Sequence, residues 1–417
     1  MKTWHFGINN DYLVDLVLAG KKRTTTSIFD ENNPATIGEE SILVFDNEKK
    51  ACITKTKKII VTEFKNITEE LALMEGEGTF EKWKKDHIKF FKSIDKDFNE
   101  NTVVEFEIFD VTKNLVEERL EMAKSIANGN LDIIKNINSI KEINAGFNNS
   151  IFDINNKYII KVCDDKNKEN LFDTEANFYE VNKGNENIPI LYKYDKSKKI
   201  VSYVYEIIEK VDGKSLYYYW YKMKKIEKED IIRKLVEAIK KIHKEKYDGY
   251  DWAKYIKSEV MSYYEQTKDL FNKEEQQLIL KSLNKYDRLL KDNKFCLIHN
   301  DLHFDNILID KNNNIKLIDF NDSIIAPFDY DLRLLYMSVT LPWKWANIEM
   351  DPLQKPKDYI HLFDYIKKYY TELNDIEYLD ERMIIYSILN DFRLLPRFKN
   401  IDNKNNIIKN TKKLINQ

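Results

Sequence analysis

Cys296–Ser323 reads CLIHNDLHFDNILIDKNNNIKLIDFNDS, a short run that gathers carboxylates, an amide and two imidazoles. The apolar stretch CLI leads into His299, Asp301 and His303. Asn306 follows Asp301 by five residues, and Asp319 closes the second arm of an apparent hairpin, ILIDKNNNIKLIDF. One carboxylate in such a set suits acceptance of a proton from a hydroxyl, or its orientation. An amide oxygen and a second carboxylate are the hard donors that Mg2+ prefers. The imidazoles read as structural hydrogen-bonding residues of the loop rather than ligands, and Cys296 as a small buried hydrophobe.

The spacing HxDxxxxN, then an apolar strand and Asp-Phe, resembles the catalytic and metal loops of protein-kinase-like phosphotransferases. With a His on either side of the Asp it is similar to the aminoglycoside phosphotransferase/choline kinase family, over about residues 135–417. The resemblance implies Asp301 as base, Asn306 and Asp319 as Mg2+ ligands, and ATP or GTP as phosphate donor to a small hydroxylated acceptor. It also implies partners upstream. Lys161, in YIIKV, stands where a phosphate-binding lysine belongs, and Glu175, in DTEANFYE, where its ion-pair partner belongs, with Glu180 as an alternative. AGFNNS, including Gly146, Asn148 and Ser150, occupies the place of the phosphate-covering loop. IEKVDG occupies that of the hinge, where backbone groups of Glu209 and Val211 would face the base. The family's HGDLHPGN and DFG are altered here: Asn300, Phe304, Asp305 and Asn321 replace Gly, Pro, Gly and Gly. Asn and Asp tolerate left-handed backbone better than other residues, so those turns remain accessible. Asp331 reads as an anchor of the catalytic loop. Tyr217–Trp220 reads as helical core more than as an acceptor pocket, and Trp343 and Trp345 are read with the same caution.

Near the start, AGKKRTTTS and MEGEGTFEKW followed by KKDHIKFF resemble the ASCH family, a small PUA-like β-barrel with flanking helices, over about residues 1–115. One branch of that family hydrolyses N4-acetylcytidine with a Lys, a Thr and a Glu. Lys22, Thr25 and Glu77 match, with Lys21 and Thr26 as matches if the register slips by one. Other members are regarded as nucleotide- or RNA-binding modules, so the resemblance implies a nucleoside or a short RNA-derived ligand, with binding favoured over hydrolysis.

These residues need a scaffold, and the 417-residue chain is long enough for two or three folding units. The expected class is α+β. A PUA-like ASCH domain occupies 1–115 and a helical connector 116–134. A bilobal kinase-like fold follows, with a β-rich N-lobe at 135–210 and a mostly helical C-lobe at 211–417. Helices are expected at 10–19, 67–74, 79–91 and 167–183, and strands at 41–46, 51–64, 103–111 and 199–208. Two or three further strands are expected in 139–162, and a strand-turn-strand block in 295–325.

The charge balance, 67 Lys and Arg against 70 Asp and Glu, argues against a protein that coats nucleic acid, and no DNA partner is expected. Residues 1–118 carry 17 basic against 23 acidic side chains, which disfavours gripping RNA through its phosphates. Cys52, Cys163 and Cys296 offer neither a disulfide framework nor a CxxC pair, and no run reaches 18 apolar residues. A cytoplasmic protein with no membrane partner is the expectation. Three functions remain in play: a small-molecule O-kinase, a bifunctional nucleoside-directed protein, and a non-catalytic nucleotide-sensing protein.

Overall fold

The computed structural model describes residues 1–76, 78–143, 149–291, 293–341, 351–398 and 401–416. Gly146, Asn148, Glu77, Trp343 and Trp345 lie outside them. The chain divides into two compact units, residues 1–165 with 196–203, and residues 166–195 with 204–417.

In the first unit a five-stranded sheet has the order β1 (Lys2–Trp4), β3 (Glu40–Val44), β4 (Lys50–Glu63), β5 (Val103–Asn114), β2 (Thr24–Ile28). The β1–β3 pair is parallel and the other pairs are antiparallel. The β4–β5 ladder shifts register between Ile53 and Thr54 and again between Thr56 and Lys58, the kind of bulge that bends a long strand. Helix α1 (Asn10–Leu18) sends Leu13, Val14, Leu16 and Val17 into a core with Leu43, Cys52 and Phe109. Helices α2 (Glu69–Leu73) and α3 (Phe80–Ile94) serve a second core, in which Trp83 and Phe91 meet Phe64, Val104 and Phe106. Thr68 and Thr79 cap these two helices through their hydroxyls. The expected helices and the strands at 41–46, 51–64 and 103–111 are all present within a few residues. The strands β1 and β2 were not anticipated, because KTW is short and TTTS carries no apolar alternation.

Helix α4 (Leu115–Asn128) follows β5 directly, capped by Asn114, and the short α5 (Leu131–Ile134) comes next. Three antiparallel strands complete the unit, β6 (Ile140–Ile143), β7 (Asn149–Ile154) and β8 (Tyr158–Cys163).

The second unit begins with α6 (Glu169–Val181), then β9 (Leu191–Asp195) paired antiparallel with β10 (Tyr205–Glu209). The strand expected at 199–208 is therefore shorter. Its partner β9 ends at Asp195, and Lys198 adopts φ 56°, so the intervening segment turns instead of extending the ladder. A three-stranded sheet has the order β11 (Lys214–Ser215), β13 (Ile307–Ile309), β14 (Ile315–Leu317), and β12 (Phe295–Ile298) pairs with β15 (Ile324–Pro327). The rest is helical: α7 (Tyr217–Trp220), α8 (Lys225–Ile242), α9 (Trp252–Thr267), α10 (Lys273–Leu283), α11 (Tyr286–Leu289), α12 (Arg333–Met337), α13 (Leu362–Tyr369), α14 (Leu379–Phe398) and α15 (Ile401–Asn416). Ile385, Tyr386, Leu389 and Phe392 of α14 are fully buried, as are Leu235, Trp252 and Val260 of α8 and α9. Among the described residues no helix is long and apolar enough to cross a membrane. All three cysteines are reduced and buried, and burial pushes the Cys52 thiol up to about 11.

Candidate phosphotransfer and ASCH sites

β12 delivers the chain to residues 299–306 and pairs along its whole length with β15, so the loop leaves a fixed edge. Within the loop, apolar and polar side chains alternate. Leu302 and Phe304 are fully buried, while Asp301 retains about a third of its side-chain exposure. Phe304 replaces a small turn residue and acts as a plug, its ring 5.0 Å from Trp220, 5.5 Å from Tyr217 and 5.4 Å from Tyr359. Its carbonyl accepts from the Ser215 hydroxyl and the Leu216 N–H. Tyr217 and Trp220 are thus core residues that brace the loop from beneath.

The other end is pinned by Asp331, which is buried. Its carboxylate accepts from the backbone N–H of Asn300 at 2.7 Å and of His299 at 3.2 Å, and lies 2.9 Å from His243 Nε2. Burial opposes the Asp331 charge, but His243 and the further donors hold its carboxyl below the usual range. Arg333 donates to the Asn300 carbonyl at 2.5 Å. Asn300 sits at φ 66°, the left-handed conformation expected where the family carries glycine.

Asp301 and Asn306 meet at the centre. The Asn306 amide nitrogen donates to the Asp301 carbonyl at 2.8 Å and to its carboxylate at 3.1 Å. His303 Nε2 lies 3.4 Å from the same carboxylate. Burial again opposes ionisation of Asp301, yet His303, with His299 and Arg333, holds its carboxyl well below the ordinary carboxylate range. Asp319, at φ 67°, follows β14, and its approach is tied in twice. The Ile318 N–H donates to the Asn306 carbonyl at 3.1 Å, and His299 Nε2 donates to the Ile318 carbonyl at 2.9 Å. His299 and His303 therefore serve as hydrogen-bonding residues of the loop. Burial, then the negative charges of Asp301 and Asp319, raises Asp322.

These residues fit a magnesium ion. The Asn306 nitrogen is turned to Asp301, which reserves the amide oxygen for a cation, and Asp319 supplies a carboxylate on the adjoining strand end. Among the described residues no three His, Cys, Asp or Glu side chains form a metal cage. Mg2+ is commonly bound by one or two carboxylates together with substrate phosphates, so a cage is not required.

Glu175, buried on α6, accepts from the Phe320 N–H at 3.4 Å and the Tyr179 hydroxyl at 3.3 Å, and Phe178 stacks on Phe320 at 4.0 Å. The helix predicted to carry the lysine's partner is thereby docked on the Asp-Phe turn. At the end of β10 the Glu209 N–H donates to the Ile190 carbonyl at 2.8 Å, its carboxylate accepts from the Ile190 N–H at 3.2 Å, and Lys316 lies 3.5 Å away. Val211 follows the last residue of β10 and belongs to no strand. In the first unit Lys161 is buried in β8 opposite Ile151 of β7. Ser150 is also buried, and its hydroxyl donates to Asp164 at 2.8 Å.

The second cluster belongs to the N-terminal sheet. A cavity of about 520 Å3 is lined by Lys2, Thr3 and Trp4 of β1 and by Thr25 to Ile28 of β2, so the sheet curls until its two edges flank one opening. At its base Lys22 donates to Glu75 Oε2 at 2.5 Å, the Thr26 hydroxyl donates to Glu75 Oε1 at 2.6 Å, and His87 Nε2 is 3.6 Å from Oε1. Lys22 and Glu75 are both about 1% exposed. Burial opposes the charge on Glu75, but the Lys22 ammonium, assisted by His87, pulls the carboxyl down to about 2. Gly76 makes the approach possible. Its φ is 73°, and a Cβ there would stand 2.6 Å from the Lys21 carbonyl oxygen.

Lys22 lines the cavity, and Glu77, named with it from the sequence, lies outside the described residues. The carboxylate partner of Lys22 is Glu75, two residues before Glu77, and the hydroxyl on that carboxylate is Thr26, the register alternative. Thr25 lines the cavity from the next strand position, opposite Glu107 of β5. Glu75, His87 and Glu107 were not anticipated as site residues. Reading TTTSI as a strand would have separated Thr26 from Thr25 by face.

Two family models match the chain, the ASCH domain over residues 2–113 and the phosphotransferase enzyme family over residues 139–349. Among solved structures, the GDP complex of wild-type aminoglycoside 2'-phosphotransferase-IIIa is 17% identical and has a TM-score of 0.51, with 71% of this chain and 97% of that chain covered. The GDP and kanamycin complex of APH(2")-IIia is 16% identical at a TM-score of 0.50, covering 71% and 98%. An ASCH domain from Lactobacillus crispatus JV V101 is 22% identical over 27% of this chain and 80% of its own, at a TM-score of 0.26. No curated protein matches the chain.

Proposed function

We propose that this chain, which belongs to the phosphotransferase enzyme family over residues 139–349, transfers the terminal phosphate of ATP or GTP to a hydroxyl of a small molecule. The observation that carries the reading is the loop at Asp301. The Asp301 carboxylate keeps partial exposure while the residues that anchor its loop, Asp331, His243, His299, Arg333 and Phe304, are buried. Asp301 orients the acceptor hydroxyl and takes its proton as the bond to phosphorus forms. Asn306 and Asp319 would hold Mg2+, which neutralises phosphate charge when bound. Lys161 is assigned to the phosphates and Glu175 to its support, as the family pattern has it. Glu209 and Val211 are assigned to the base, and Gly146, Asn148 and Ser150 to the covering loop.

One of the related structures, APH(2")-IIia, holds kanamycin, a strong polycation. Here Asp251 caps α9, Glu259 pairs with Arg393 at 2.9 Å, and Glu209 pairs with Lys316. Three acids of this region, Glu209, Asp251 and Glu259, thus have partners within the protein, which supports including amino alcohols, sugars and nucleosides beside aminoglycosides as acceptors. The test is Mg2+-dependent consumption of ATP and GTP across a panel of aminoglycosides, amino alcohols, sugars and nucleosides. Acceptor-stimulated turnover that vanishes in Asp301→Asn supports the reading. Nucleotide binding without turnover on any acceptor favours a nucleotide sensor.

For the ASCH cavity we infer binding of an uncharged, nucleoside-sized ligand. Glu39, Glu105 and Glu107 line it, and Glu75 already neutralises Lys22, so a phosphate would meet net negative charge. Amide hydrolysis is the second reading, favoured by a hydroxyl, an ammonium and a carboxylate in one cluster. Calorimetry with cytidine, cytidine 5'-monophosphate and N4-acetylcytidine separates them. Binding of both nucleosides over the monophosphate supports a binding module, and release of acetate supports a hydrolase.

A further inference from the structure

In the first unit one carboxylate collects cations from two other elements. Glu142 of β6 receives the Arg119 guanidinium at 2.6 Å and 3.1 Å, and Lys49, from the turn between β3 and β4, stands 2.7 Å away. The same Arg119, on α4, donates its remaining arm to the Lys50 carbonyl at 2.7 Å. All three side chains are largely buried, with 8%, 14% and 13% of their surface exposed for Glu142, Arg119 and Lys49. Burial opposes the Glu142 charge, and the two cations more than offset it, leaving the carboxyl below its ordinary value. One guanidinium thus joins the backbone of an ASCH strand to a side chain of the strand that opens the phosphotransferase region.

What hangs on β6 is functional. Glu142 is in register with Phe152 of β7, and β7 carries Ser150. Ile151 is in register with Lys161 of β8, and the Ser150 hydroxyl reaches Asp164 just beyond β8. Asp164 also lies in the field of Lys49, Arg119 and Glu142. A displacement of β6 is transmitted through the ladder to both residues assigned to the phosphates.

We propose that Glu142 is a positioning residue for the nucleotide, through which the ASCH domain and α4 hold the β6–β8 strands that present Ser150 and Lys161. This rests on the phosphotransferase reading. It makes the ASCH domain part of the nucleotide-binding apparatus irrespective of any ligand in its own cavity.

The test measures affinity of the full chain for ATP and GTP by calorimetry, then KM and kcat. In Glu142→Ala nucleotide affinity is expected to fall about five- to tenfold, with kcat at saturating nucleotide and the acceptor KM within about twofold of the original. Arg119→Ala is expected to give a similar loss, and the double variant less than the sum of the two, because the Arg119–Glu142 contact is common to both while Lys49 and the Lys50 carbonyl are lost separately. Glu142→Gln, which keeps an acceptor for Arg119, is expected to recover part of the affinity, and it serves if the alanine variant fails to fold. Unchanged affinity in both Glu142 variants overturns the proposal. So does a loss that falls equally on kcat and the acceptor KM, which marks general loosening. If the unaltered chain binds neither nucleotide, the phosphotransferase reading falls, and this proposal with it. If it binds and the variants match it, only the proposal falls.

Discussion

Asp301 and Glu75 are both carboxylates held well below their ordinary pKa by basic neighbours, but their surroundings differ in kind. Around Asp301 the charge is stabilised from one side and left open on another. His303 and Asn306 approach from one side, a third of the side chain stays exposed, and Asp319 and Asp322 add further negative charge nearby. Around Glu75 the charge is cancelled within the protein, with Lys22, Thr26 and His87 all directed to it. The first arrangement leaves one edge of the carboxylate accessible to a bound partner. The second is complete without a ligand. A centre that performs phosphoryl transfer needs unsatisfied charge at the point of reaction, whereas a cavity for an uncharged molecule needs its own charges quenched.

The largest effect expected from breaking this contrast is on the Asp301 side. Asp301→Asn keeps the size of the residue and one acceptor oxygen, and removes the charge. It is expected to lower kcat by about a hundred- to ten-thousandfold, the span of a general base. Nucleotide affinity should barely move, and melting temperature should fall only modestly, because His303 and Arg333 lose one charged partner while the rest of the loop's anchors remain. Steady-state kinetics beside thermal melting checks this, and a parallel collapse of stability would count against the reading.

The opposite pattern is expected at Glu75. Lys22→Met strands a buried carboxylate and is expected to cost about 3–5 kcal/mol of stability in the first unit. Lys22→Met with Glu75→Leu should recover most of that loss, since an apolar pair of similar volume removes both charges. Denaturant unfolding of the single and double variants measures it. The same pair sets an acid limit. A carboxyl whose folded pKa is depressed contributes stability that is complete above its unfolded value, near 4.5, and is lost as pH falls toward about 2. Unfolding midpoints should therefore drop across that window, and the drop should be absent in the double variant.

How far the sequence reveals these two centres differs for a physical reason. The phosphotransfer loop is local. Asp301, Asn306 and Asp319 fall within nineteen residues, and the intervals between them follow from strand and turn geometry, so type and spacing together locate them. Phe304 belongs to the same stretch and Asp331 follows its end by twelve residues, whereas two partners of the loop, His243 and Arg333, lacked a signal. The ASCH cluster is assembled from α3, β2 and two loops. Lys22 and Glu75 stand fifty-three residues apart, and the approach of Glu75 to Lys22 depends on the left-handed Gly76 packed on the Lys21 carbonyl. Composition identifies the segment without choosing between Glu75 and Glu77. Glu142 was invisible for a further reason. An ion pair between sequence-distant elements leaves no periodicity, and KEI reads as an ordinary half-exposed strand.

The smallest expected effect addresses the strand register on which the ASCH reading turns. In β2 neighbouring residues face opposite ways. Thr26 is in register with the buried Phe106, and Thr25 with Glu107. Thr26→Val replaces a hydroxyl that bonds a buried carboxylate, and is expected to cost about 1.5–3 kcal/mol, the range for hydrogen bonds to charged groups. Thr25→Val removes a half-buried hydroxyl from the cavity wall and should leave stability within about 0.5 kcal/mol. If Thr25 serves a ligand and Thr26 the fold, nucleoside affinity should fall in Thr25→Val while unfolding stays put, and the reverse should hold for Thr26→Val at saturating ligand. Paired calorimetry and denaturant unfolding of the two variants separates the roles. Equal effects of both substitutions on both readouts would mean that the strand does not keep the alternation on which this division of roles rests.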